Sequence, residues 1–200
     1  MIDLSILDRL AKELSINDII WGVGGSYLLQ IYNLYSEPND LDLWVQPCDI
    51  PKIRNIFKGF EEVNTDIPLP EEFHFKMKYY DVEVDFVACF IIKPNQKKFT
   101  YNILPENINM MTLENGIKIP CTFLEDWYIV YKLLRREKKA ALIENVFREK
   151  QIPFSYKVLA ASLDNKNNKI QKKIIKDVNE LIIFELQPLL FDYDTDLKDK

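Results

Sequence analysis

Apolar residues recur along this chain with two different periods, and the periods assign its elements. Leu4, Leu7, Leu10, Ala11 and Leu14 keep a helical spacing and predict a helix over 4–14. Ile19 to Val23 is a short apolar run that ends at Gly24, which reads as a buried strand. Helical spacing returns over 26–34, and Glu37-Pro38-Asn39 breaks it. Leu41 to Val45 is the next strand, and 51–60 is a helix opened by Pro51.

The period then changes to two. Phe73, Phe75, Met77 and Tyr79 alternate with His74, Lys76 and Lys78. After a turn near Tyr80-Asp81, Val82, Val84 and Phe86 alternate with Glu83 and Asp85. This is the signature of two half-buried antiparallel strands. Pairing Tyr79 with Val82 sets Met77 opposite Val84, Phe75 opposite Phe86, Lys76 opposite Asp85 and Lys78 opposite Glu83. One face is then apolar and the other charged, so the register is self-consistent. Asn115-Gly116 predicts a second tight hairpin, between 110–113 and 117–119. Thr122-Phe123-Leu124-Glu125 spells a capping box. Beyond it only helical patterns follow, over 123–136, 139–149, 155–163 and about 168–186, with a loop at 164–168 and a solvated acidic tail at 192–196. The expected fold is α+β, a mixed sheet flanked by helices over 1–120 and a helical region over 121–200.

Composition narrows the function. With 200 residues the chain has room for one sizeable core, or one core and a small helical domain. No run is long and apolar enough to span a bilayer. The start, Met1-Ile2-Asp3-Leu4, lacks the segments of a signal peptide, and a cytoplasmic chain is expected. Cys48, Cys89 and Cys121 are far apart and form no Cys-x-x-Cys pair, so they read as reduced core thiols. The lone histidine, His74, excludes most histidine-based zinc sites and argues against a Ser-His-Asp triad. A net charge of −5 argues against a general nucleic-acid binder, although not against a local basic patch.

The candidate chemistry is carboxylate chemistry. Asp40 and Asp42 are two apart on a strand and so point to one face. Asp85 lies on the polar face of another strand. Three carboxylates converging on one sheet edge make a hard-oxygen site of the kind that holds magnesium together with substrate phosphates. The competing reading makes Asp40 and Asp42 plain surface residues of an edge strand. The glycines shift that balance. Gly24-Gly25 follows a buried strand and precedes a helix, with Ser26 at the helix start. Glycine lets a backbone approach a ligand closely, and a helix start offers free N–H groups to phosphate. The alternative is an ordinary strand-to-helix turn with Ser26 as N-cap. A phosphate cradle and a magnesium site in adjacent elements suggest a bound nucleoside triphosphate.

The pattern Val23-Gly24-Gly25-Ser26, then Asp40-Leu41-Asp42-Leu43, then Val84-Asp85-Phe86 resembles that of the polymerase-β-like minimal nucleotidyltransferases. Residues 117–146 are also similar to the tail of small bacterial members, which include antibiotic (lincosamide) and toxin-type nucleotidyltransferases. Glu125-Asp126 match that tail, whereas the Lys-Asp pair of many relatives reads Lys139-Ala140 here. The resemblance spans about residues 19 to 146. It implies that Gly24, Gly25 and Ser26 hold the β- and γ-phosphates. It implies further that Asp40 and Asp42 ligate magnesium, and that Asp85 ligates a second Mg2+ and positions or deprotonates the attacking hydroxyl. Two ions roughly 3.5–4 Å apart would stabilise the attacking and leaving oxygens. Lys76 is a candidate phosphate ligand or a salt-bridge partner of Asp85, and Glu83 is the reserve third carboxylate. Lys139, with Arg135, Arg136 and Lys138, is either a triphosphate ligand or part of a solvated basic helix face. Trp21, Trp44 and Trp127 sit in apolar patterns and read as core.

The function implied is transfer of a nucleoside monophosphate from a magnesium-bound triphosphate to an acceptor hydroxyl on a small molecule, an RNA or a protein, with release of pyrophosphate. The alternative is a non-catalytic nucleotide-binding or toxin–antitoxin interaction module. No membrane partner is expected.

Overall fold

The computed structural model describes residues 4–64, 70–92, 97–100, 103–113, 115–163 and 170–191. The chain divides into two compact units, Met1–Leu124 and Glu125–Lys200. The expected loop at 164–168 and the tail at 192–196 lie outside the described residues.

In the first unit the elements run α1 (Leu4–Ile16), β1 (Trp21–Val23), α2 (Gly25–Ile31), β2 (Leu41–Val45), α3 (Ile50–Ile56), β3 (Glu61–Glu62), β4 (His74–Tyr79), β5 (Val82–Val87), β6 (Cys89–Ile92), β7 (Lys97–Thr100), β8 (Asn109–Thr112) and β9 (Lys118–Cys121). Among the described residues, seven strands form one mixed sheet in the order β3-β4-β5-β2-β1-β9-β8, while β6 and β7 form a separate ribbon. Strand β2 runs parallel to β5, and β1 parallel to β9; the remaining neighbours are antiparallel. The second unit carries α4 (Leu124–Leu133), α5 (Glu137–Arg148), α6 (Tyr156–Leu163) and α7 (Lys172–Phe191), so the α+β expectation with a helical C-terminal region holds.

Alternation along β4 and β5 builds the core on one face. Tyr79 pairs with Val82, Met77 with Val84, Phe75 with Phe86, Lys76 with Asp85 and Lys78 with Glu83, the register expected from the sequence. Phe57 stacks on Phe86 at 5.9 Å, Phe75 stacks on Phe86 at 5.8 Å, and Phe57 meets Tyr79 edge-on at 5.7 Å. Rings at such distances add to the area they bury and fix which face of the strands is inward. Leu7, Leu10 and Leu14 of α1 are buried at their helical spacing, and Trp21, Trp44 and Trp127 are all buried as expected.

Several expectations need correction. Helix α2 ends at Ile31, short of 34, because Asn33 takes a left-handed conformation (φ +58°) and its N–H turns back to Gln30 O. Helix α4 stops at Leu133 for the same reason: Arg135 sits at φ +57° and the Arg136 N–H returns to Tyr131 O. Helix α3 ends at Ile56 rather than 60, α5 begins at Glu137, and α7 runs Lys172–Phe191. Strands β3, β6 and β7 carry no clean period-two signal and were not anticipated. The Thr122 N–H and hydroxyl both donate to Val23 O, at 3.0 and 2.9 Å, and the Glu125 carboxylate accepts the Ser155 N–H at 2.6 Å. The three cysteines are outside any disulfide, but only Cys89 and Cys121 are buried; Cys48 is exposed. Burial pushes the Cys121 thiol up to about 12, so it stays protonated and inert.

Candidate active site

The parallel pairing of β2 with β5 assembles the acidic site. It sets Asp42 beside Asp85 on adjacent strands; Asp40, expected on the same strand, lies instead in the bend just before β2, and its carboxylate still reaches the pair. One carboxylate oxygen from each of Asp40, Asp42 and Asp85 lies within 4.8 Å of the other two. Asp85 is 5 % exposed, while Asp40 and Asp42 are half-buried. Three like charges this close, one of them buried, repel strongly in a low dielectric unless a cation joins them. A set of hard carboxylate oxygens at this spacing fits magnesium.

The glycine turn meets the same carboxylates. Gly24 is the N-cap of α2, and its N–H donates to the Asp42 backbone O at 2.9 Å, which stitches the turn to β2. Gly25 has φ +59°, and a Cβ built there would fall 1.6 Å from Asp42 Oδ2. Both conformation and space therefore demand glycine at 25. Ser26, expected at the helix boundary, lies one residue further inside and is buried.

Lys76 stands across the register from Asp85. Its Nζ is 2.8 Å from Glu83 Oε2 and 3.6 Å from Asp40 Oδ2. Burial opposes its charge, but the Glu83 hydrogen bond and the Asp85, Asp40 and Glu83 charges outweigh burial, and its pKa is raised. The hydrogen bond and charge of Lys76 in turn lower the Glu83 pKa. Glu83 is thus engaged by Lys76 at the more exposed end of the strand, and Asp85 is the carboxylate that joins Asp40 and Asp42.

Lys139 belongs to the other unit. There Arg135, Arg136, Glu137, Lys138 and Lys139 line a cavity of about 430 Å³ at the α4–α5 corner. The Lys139 ammonium also lies 5.7 Å from the centroid of the Tyr131 ring.

His74 is the site neighbour that motif reading passed over. It pairs with Val87 in the register, on the same face as Lys76 and diagonal to Asp85. Its Nε2 is 2.5 Å from Asp85 Oδ1, and both side chains are 7 % exposed. The signal was present: a lone histidine two residues before the lysine opposite Asp85.

No protein-family profile and no curated protein sequence matches the chain. Its architecture does find counterparts. A Thermotoga maritima protein described as a nucleotidyltransferase matches with a TM-score of 0.53, covering 73 % of this chain and 92 % of its own, at 20 % identity. The chain has the nucleotidyltransferase fold. The lincosamide antibiotic adenylyltransferase LnuA, in its lincomycin-bound crystal structure, matches with a TM-score of 0.50, covering 72 % of this chain and 98 % of its own, at 8 % identity. At such identities the likeness is one of fold, and the roles of residues in this nucleotidyltransferase fold must be argued from their own geometry.

Proposed function

We propose that the chain transfers a nucleoside monophosphate from a magnesium-bound nucleoside triphosphate to an acceptor hydroxyl and releases pyrophosphate. The observation that carries this reading is the convergence of Asp40, Asp42 and Asp85 against a glycine turn, on this fold. The catalytic residues are assigned to 1–120 and the helical region to 121–200.

Asp40, Asp42 and Asp85 are the residues that would hold the metal, as two ions when the triphosphate is present. Magnesium supplies charge neutralisation on the triphosphate and lowers the barrier to displacement at phosphorus. The turn Gly24-Gly25-Ser26 cradles the β- and γ-phosphates through backbone N–H groups and the Ser26 hydroxyl. Asp85 orients the acceptor hydroxyl and accepts its proton as the acceptor oxygen bonds to the α-phosphorus. The bond from the α-phosphorus to the bridging oxygen breaks, and pyrophosphate departs. Lys76, already bound to Glu83 and Asp40, acts first as a brace for the acidic face; as a phosphate ligand it would have to exchange Glu83 for the triphosphate.

The acceptor belongs to one of three classes: small molecule, RNA or protein. An acidic, carboxylate-lined site favours a cationic small molecule over RNA. The competing reading is a non-catalytic nucleotide-binding or toxin–antitoxin module. It is favoured by Ala140, which stands where many similar chains carry aspartate. The deciding experiment incubates the purified chain with each α-labelled triphosphate, magnesium and a cell extract. The expected result is pyrophosphate release, with label on one acceptor class. Triphosphate binding with neither product would establish the non-catalytic module instead.

A further inference from the structure

We infer that His74 is a positioning residue for this reaction: from β4 it holds Asp85 by one oxygen and so fixes the carboxylate that meets metal and acceptor. The inference rests on the reading of the acidic site given above and adds a residue outside both the acidic set and the glycine turn.

The contact is between two enclosed polar atoms. His74 Nε2 lies 2.5 Å from Asp85 Oδ1. Each of these atoms is wholly buried, and neither has a hydrogen-bond partner elsewhere among the described residues. Their contact is off the hydrogen-bond line, so the ring or the carboxylate has to turn for the bond to form. Lys76, the ammonium nearest Asp85 across the strand pair, is committed to Glu83 and Asp40. The grip on Asp85 Oδ1 therefore falls to His74.

The backbone that presents the imidazole is itself pinned. The His74 carbonyl accepts an Arg54 Nη2 hydrogen bond at 3.1 Å, and the Arg54 guanidinium lies over the Phe75 ring at 4.7 Å. On the other side of the residue, the Ala88 N–H donates to Phe73 O at 2.9 Å. Diagonal neighbours on paired strands are within reach of a long side chain, which is how a residue opposite Val87 touches Asp85.

A carboxylate with both oxygens free swings about its terminal bond. A donor on one oxygen stops that rotation and presents the other at a constant angle. The neutral imidazole with its proton on Nε2 is sufficient, so the role needs no change of charge. Loss of an outer partner of a metal-ligating carboxylate typically costs about 10- to 100-fold in metal affinity or activity.

The test compares His74→Leu, His74→Gln and His74→Asn in the full chain. Leucine keeps bulk without a donor. Glutamine places an amide N–H near the Nε2 position, and asparagine falls short of it. Three quantities are measured: Mn2+ affinity by paramagnetic resonance, kcat and KM for pyrophosphate release, and melting temperature. For His74→Leu, Mn2+ affinity and kcat should fall about 10- to 100-fold, with KM for the triphosphate unchanged. Glutamine should restore most of the loss and asparagine little of it. The Gln-over-Asn ranking decides the matter if the leucine variant does not fold. Wild-type Mn2+ affinity and kcat in His74→Leu would overturn the inference, as would equal losses in Gln and Asn that track melting temperature alone. A wild-type chain that binds Mn2+ but releases no pyrophosphate would refute the proposed reaction only, because the Mn2+ affinities of the variants would still report whether His74 positions Asp85.

Discussion

The two units bury acidic side chains in opposite ways. Among the described residues of the helical unit, the buried Glu125 and Asp126 and the half-buried Asp177 are each met by a donor. Glu125 accepts the Ser155 N–H, Asp126 accepts the Ser162 hydroxyl, and Asp177 pairs with Lys132, which also holds Glu137. In the sheet unit one carboxylate oxygen from each of Asp40, Asp42 and Asp85 lies within 4.8 Å of the other two, with Lys76 beside Asp40 and His74 beside Asp85. Satisfied acids tie helices together; acids that face each other store repulsion that a bound cation relieves. The residue type does not distinguish structure from function here. The partner does.

The sharpest break of this contrast is Asp42→Asn. A neutral amide of the same shape removes a charge that would hold magnesium, and turnover should fall by about a thousandfold or more. The melting temperature should stay level or rise, because a like-charge contact is relieved. Undiminished pyrophosphate release by the pure variant would remove the acidic set from the chemistry.

Next in size is Gly25→Ala. The added methyl would overlap Asp42 Oδ2 at 1.6 Å and would sit at φ +59°. Triphosphate and metal affinity should drop together, and more steeply than stability, since the atoms the methyl displaces belong to the half-buried Asp42 side chain. Calorimetric titration against thermal melting separates the two. Unchanged affinity with a collapsed melting temperature would make the turn structural.

Ser162→Ala probes the other unit. It deprives the buried Asp126 carboxylate of a donor and should cost about 1–3 kcal/mol of stability. Turnover well below the melting temperature should be that of the wild type. A loss of turnover at constant stability would erase the division between structural and functional acids.

The smallest effect is expected from Glu125→Gln. Burial raises the Glu125 pKa, although the Ser155 N–H works against the rise. The folded state then holds a proton that the unfolded state has released, so this residue's contribution to stability falls as pH rises from about 4.5 through the raised value. Glutamine keeps an acceptor for Ser155 without the charge. Denaturant melts should show the variant gaining on the wild type as pH climbs through that window. A constant difference across pH would mean that Glu125 is ionised in both states.

Much of this protein was legible one residue at a time. Period-two alternation alone determined the β4–β5 register, because slipping it by one residue would turn Phe75, Met77, Val84 and Phe86 out of the core. The same parity placed Asp85 on the polar face, whereas Asp40 joins Asp42 from the bend before β2. Other features depended on distance in space. The parallel docking of β2 on β5 brings Asp42 to Asp85, and no local pattern announces which strands become neighbours across more than forty positions. The ends of α2 and α4 depended on Asn33 and Arg135 entering left-handed geometry, which their residue types permit but do not demand. Gly25 illustrates both levels. Its place between strand and helix was readable as a turn, but only the packed structure shows that Asp42 fills the space a side chain would need. His74 is the clearest case of the second kind. Along the chain it is one polar residue in an alternating strand; folded, it is the enclosed neighbour of Asp85, because diagonal contact across paired strands is a property of the sheet and not of either segment.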